Sequence, residues 1–107
     1  MQEQPPKAEH TAEEKINWLR LATKFSDDGD LKGMRACAKE VDRLVAGDVD
    51  AMAVNAEVAL YSGRIDEAEE LAGKVLRVQP RHPRARMVQA GLAALEFRLD
   101  DEIPLLA

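Results

Sequence analysis

Residues 18–41, WLRLATKFSDDGDLKGMRACAKEV, decide the fold, because residues 52–75, MAVNAEVALYSGRIDEAEELAGKV, repeat their plan. Gly29 and Gly63 sit 34 residues apart, each closing one apolar stretch and opening another. Trp18, Leu21, Ala22 and Phe25 precede the first glycine as Met52, Asn55, Ala56 and Ala59 precede the second. Leu31, Met34, Ala38 and Val41 follow as Ile65, Ala68, Ala72 and Val75 follow. A fixed period of this length marks stacked supersecondary units that bury one another's apolar faces. Such stacks present surfaces more readily than they enclose reactions.

Outward from this core, the spacing predicts five helices. The first spans about 12–27, opened by a Thr11/Glu14 capping box. Gly29 supplies the left-handed turn and Asp30 caps a second helix over about 31–45. Gly33 in its first turn costs roughly 1 kcal/mol relative to alanine. Asp48 caps a third over about 49–61, and a fourth covers about 65–78 with acids early and bases late. Pro83 fits the first position of a fifth helix reaching about residue 98. Residues 1–11, with Pro5 and Pro6, read as a disordered arm ahead of a single domain over 12–107. No strand or hairpin pattern occurs.

Composition narrows the function. A net charge of −5 and a pI near 5.0 argue against nucleic-acid binding. Apolar residues make up 46% but aromatics only 4%, a balance suited to closely packed Ala- and Leu-rich helices. The single Cys37 allows no internal disulfide, which fits a reducing, cytoplasmic setting, and it reads as a small buried hydrophobe. No segment is apolar enough for membrane insertion, and no secretory leader is visible. His10 and His82 lack partners at metal-ligand spacing, and no phosphate-binding glycine loop occurs, so no metal and no cofactor is expected. Asp66, Glu67, Glu69 and Glu70 read as a solvated helix start, and Arg77, Arg81, Arg84 and Arg86 as a solvated linker or a contact to an acidic partner.

The repeated residues resemble the tetratricopeptide repeat (TPR) family. The match is good in residues 15–48, where Trp18, Leu21, Ala22, Phe25 and Gly29 follow the family pattern. It is partial in 49–82, which keeps Ala56, Gly63, Ala68 and Pro80, and weak in the incomplete third unit, 83–107, which keeps Ala90. The resemblance implies an all-α, right-handed stack of antiparallel helix pairs, with Ala22, Ala56, Ala68 and Ala90 at the closest helix approaches. An up-down helix bundle is the competing architecture, but it gives no reason for the period. Asn55 departs from the pattern, standing where a buried leucine is usual. Its amide either bonds a neighbouring carbonyl or contacts the backbone of a ligand at a groove edge.

The resemblance further implies a protein-interaction module and not an enzyme. The first helix of each pair would line a concave groove, here through Leu19, Thr23, Ala53, Glu57, Leu60, Tyr61, Arg84 and Met87. An apolar stripe through Leu19, Ala53, Leu60 and Met87 suits an amphipathic or extended apolar partner segment. The basic clamp some family members use for a C-terminal carboxylate is missing, since Arg84 is the one base at the corresponding positions. The fifth helix is apolar on most of its circumference, so Val88, Leu92, Leu95, Phe97 and Leu99 are expected to need a cover. That cover is a further helix beyond Ala107, the tail 103–106 folding back, or another copy of the chain in a homo-oligomer. Two alternatives remain open: a docking domain of a longer enzyme, such as a bacterial glycosyltransferase, and a secretion or assembly chaperone.

Overall fold

The computed structural model describes the backbone of residues 7–106 and the side-chain surroundings of residues 10–97. Its five helices are α1 (Lys7–Asp28), α2 (Leu31–Leu44), α3 (Val49–Tyr61), α4 (Ile65–Val78) and α5 (Pro83–Leu106), with no strand among the described residues. Two expected boundaries move. α1 begins at Lys7, so Thr11 and Glu14 lie inside the helix instead of opening it. Residues 7–14 contain no glycine or proline to break it, and His10 pairs with Glu14 one turn on. Only residues 1–6 of the expected arm are left, and they lie outside the described residues. α5 continues to Leu106, because nothing between Pro83 and Pro104 halts it except the well-tolerated Gly91. Residues 103–106 therefore extend the helix and do not fold back as a separate tail.

The period seen in the sequence recurs in the backbone. α1 ends when the Asp30 amide donates to the Phe25 carbonyl (2.8 Å) and that of Gly29 to Ser26 (3.1 Å). α3 ends when the Arg64 amide donates to Ala59 (2.9 Å) and that of Gly63 to Leu60 (3.2 Å). This paired bonding needs a residue at positive φ, which Gly29 (74°) and Gly63 (79°) supply without a Cβ clash. Burial repeats as well. Ala22 and Ala56, Met34 and Ala68, Ala38 and Ala72, and Val41 and Val75 are all buried.

Consecutive helices pack on one another, and α3 also touches both α1 and α5. α3 is the centre of the molecule. Its Ala51, Val54 and Val58 join Ala22 of α1 and Met34, Cys37, Ala38 and Val41 of α2 in one core cluster. Its Ala56 and Ala59 join Ala68, Ala72, Val88 and Leu92 in a second, and Ala53 joins Val75 and Ala85 in a third. Burying each such Val, Leu or Met is worth about 1.5–3 kcal/mol. Small residues set the closest approaches. A Cβ on Gly33 would stand 2.6–2.8 Å from the Phe25 ring, and one on Gly91 2.9 Å from a Leu60 methyl. Gly33 thus trades helix propensity for room for Phe25. Ala90, in contrast, is exposed, and Ala85 makes the buried contact on α5.

Asn55 is also exposed, not buried. α2 and α4 each pack on α3 but not on each other, and the gap between them leaves the Asn55 amide open to solvent. Val88 and Leu92 are drawn into the core with α3 and α4. Among the described residues of α5, the large apolar side chains left exposed are Met87, Leu95 and Phe97. Leu99 lies outside the residues whose side chains are described.

Candidate functional site

The face formed by α1, α3 and α5 carries most of the buried polar chemistry. It holds two linked sets of side chains.

The first set joins the starts of α3 and α5 to α1. Asp48 caps α3, its Oδ1 accepting from the amides of Asp50 (2.8 Å) and Ala51 (3.1 Å). Its Oδ2 accepts from Lys15 Nζ at 2.6 Å, and the same ammonium lies 2.8 Å from Asp50 Oδ2. Asp50 Oδ1 in turn meets His82 Nε2 at 2.5 Å. His82 is only 6% exposed. Its carbonyl accepts from the Arg86 amide (3.0 Å), and its Nδ1 faces the Ala85 amide (3.4 Å). The ring therefore caps α5 with Nδ1 as acceptor, which leaves Nε2–H to donate to Asp50. Burial would push the Asp50 carboxyl upward, but hydrogen bonds from Lys15 and His82 outweigh it and hold the group below its ordinary value. Burial would likewise lower Lys15, yet Asp48 and Asp50 keep its ammonium above its ordinary value.

The second set surrounds Glu57, which is only 1% exposed. Arg84 Nη1 donates to Oε1 (2.5 Å) and Ser26 Oγ to Oε2 (2.5 Å). Arg84 Nη2 reaches across to Thr23 Oγ1 at 2.8 Å, and that hydroxyl donates to the Leu19 carbonyl at 3.2 Å. A buried carboxylate is costly unless each oxygen finds a donor, and here each does. With both oxygens occupied, Glu57 serves as the anchor for an arginine and not as a free base. The Tyr61 phenol beside it is pushed up by burial and by the Glu57 charge.

An open pocket of about 430 Å³ lies over this second set, bounded by Thr23, Ser26 and Asp27 on one side and Tyr61, Arg84 and Met87 on the other. Tyr61 is 51% and Met87 45% exposed. The expected groove residues are brought only partly together. Thr23, Glu57, Tyr61, Arg84 and Met87 share this pocket, and Leu19 lines a neighbouring depression with Asp50 and His82. Ala53 is fully buried against Val75 and Ala85, and Leu60 is half-buried against the α4–α5 core. The expected continuous apolar stripe is therefore interrupted, and the face is amphipathic.

Sequence reasoning missed Lys15 and His82. His82 was readable as a cap, since it directly precedes Pro83 and follows Asp48 by one 34-residue period. The link from Asp50 to His82 carries no local signal. Arg84, read as one of a solvated basic run, is drawn in by Glu57, whereas Arg77, Arg81 and Arg86 stay exposed. The acidic start of α4 is exposed, with Glu67 and Glu70 in short-range pairs to Arg64 and Lys74. Cys37 is buried, which pushes its thiol up. Among the described residues, no cluster of His, Cys, Asp and Glu is arranged to hold a metal ion, and no helix is long and apolar enough to cross a membrane. No protein-family model matches this chain, and no curated protein or solved structure is detectably similar to it.

Proposed function

We propose that this chain is a TPR-like, right-handed helical-repeat module that binds a partner segment on the α1–α3–α5 face. The observation that carries the reading is the pocket over Glu57. Exposed Tyr61 and Met87 offer apolar area, and Arg84, Thr23 and Ser26 offer polar atoms whose positions are fixed by a buried carboxylate. Rigid backing of this kind lowers the ordering cost of binding. The match of caps and burial between the α1–α2 and α3–α4 hairpins supports the repeat assignment. The occupant is an amphipathic segment laying its apolar side on Tyr61 and Met87.

Fluorescence anisotropy with a labelled amphipathic peptide carrying leucines at helical spacing tests the reading. Tyr61→Ala and Met87→Glu, both at exposed positions, are expected to weaken binding by about tenfold or more and to leave the melting temperature unchanged. Binding that ignores both substitutions removes the proposal. Leu60→Glu is unsuitable as a probe, because Leu60 packs on the core and against Gly91.

A second reading, self-association through α5, is favoured by Phe97 (74% exposed) and Leu95 (40%). Light scattering decides it: a dimer that dissociates in Leu95→Glu/Phe97→Glu supports the reading, and a wild-type monomer at all concentrations rejects it.

A further inference from the structure

We propose a second binding surface, independent of the first: the cleft between α2 and α4 takes an extended acidic peptide segment. The cleft has a volume of about 520 Å³ and is floored by α3, with half-buried Met52 and Leu71 as its apolar base. Arg35 and Lys39 rise from α2 along one side, and Asn55 stands on the floor.

Its charge is set by which groups are already engaged. Two carboxylates border the cleft, and both have internal partners. Asp48 holds Lys15 and caps α3, and Asp42 accepts from the Gly47 amide at 2.9 Å. Arg35, Lys39 and Asn55 form no hydrogen bond or ion pair with any described residue. A chain of net charge −5 thus keeps two cations that no carboxylate engages beside an unused amide, while Asp42, bonded to a neutral amide, retains its charge on the cleft border.

The geometry specifies the ligand. Arg35 and Lys39 are one helical turn apart on the same face, a rise of about 6 Å. An extended chain presents side chains to one face every two residues, about 6.6–6.8 Å apart. Two carboxylates at alternate positions of such a chain match the two cations. The Asn55 amide, with one acceptor oxygen and a donor nitrogen, can pair with the N–H and C=O of the segment between them. Its counterpart in the first hairpin, Leu21, is half-buried against the core. The amide thus replaces a packing residue where the cleft opens.

The probe is a fluorescein-labelled peptide of alternating glutamate and threonine, titrated with the full chain and followed by anisotropy. Saturable binding is expected that weakens as salt rises. Arg35→Gln/Lys39→Gln should reduce affinity by about tenfold or more, and Asn55→Ala by about threefold, losses of about 1.4 kcal/mol or more and about 0.65 kcal/mol. Arg81→Gln/Arg86→Gln, which removes two exposed cations elsewhere, should change it less than about twofold. Tyr61→Ala and Met87→Glu should leave it unaltered, so this proposal and the one for the α1–α3–α5 face fail separately. No saturable binding, an equal loss in both arginine-containing pairs, or equally tight binding of a single-stranded oligonucleotide of the same charge overturns the proposal.

Discussion

His82 occupies the position that Asp48 holds one repeat earlier, and the two converge on a common partner system. Each caps the first helix of its unit. Asp48 bonds Lys15 directly, while His82 reaches the same ammonium through Asp50. The starts of α3 and α5 are thereby tied together and to α1.

Removing the acidic cap tests that tie. Asp48→Ala loses both the cap and one partner of Lys15, whereas Asp48→Asn keeps a capping oxygen and loses only the charge. Chemical denaturation should place Asp48→Ala about 1–2 kcal/mol below wild type and Asp48→Asn between the two.

The same cluster sets a dependence on pH. Asp50 is held below its ordinary value in the folded chain, so its contribution is complete above the unfolded value of about 3.9 and is lost as pH falls through the folded one. Lys15 is held above its ordinary value, so its contribution is complete below about 10.4 and is lost as pH rises through the folded one. Urea midpoints should fall on the acid side as Asp50 is protonated, and on the alkaline side from about pH 8.5 upward, where the unfolded thiol ionises while buried Cys37 resists, before the Lys15 contribution is lost. In Asp50→Asn, the acid-side loss should shrink.

Glu57 should respond sharply to loss of its arginine. Arg84→Met leaves a carboxylate buried with one donor fewer, at a cost of about 3–5 kcal/mol. Arg84→Met combined with Glu57→Gln should recover a large part of it. Equal stability of the single and double variants would show that Glu57 does not depend on Arg84.

Two glycines should answer alanine in opposite directions. Gly33→Ala would drive a methyl into the Phe25 ring and is expected to destabilise despite better helix propensity. Gly73→Ala meets nothing closer than an Arg77 nitrogen at 4.0 Å and should stabilise by up to about 1 kcal/mol. Thermal melts of the pair check both signs.

The sequence revealed what neighbouring residues determine. Gly29 and Gly63, the caps Asp30 and Asp48, and the start at Pro83 all rest on backbone bonds spanning a few positions. The centres of the helices followed from their apolar spacing, but their outer limits did not, because the flanks of α1 and α5 lack breakers. The candidate site was less legible. Glu57 and Arg84 both belong by type on the surface, and only packing of α5 on α3 brings the pair together across 27 residues. Asn55 was misplaced for the converse reason: its slot, filled by Leu21, is half-buried against the core in the first hairpin, and the separation of α2 from α4 opens it in the second. Val88 and Leu92 could not be told from Leu95 and Phe97 by hydropathy, because what divides them is the length of α4 against that of α5.

The central position of α3 has a consequence for how the molecule comes apart. A long array of repeats can fray from its ends, since each unit leans only on its neighbours. Here a single 13-residue rod lends side chains to each of the three hydrophobic clusters among the described residues, so loosening it disturbs both ends at once. Denaturation is therefore expected to run as a single cooperative transition, with circular dichroism and tryptophan fluorescence giving coincident midpoints.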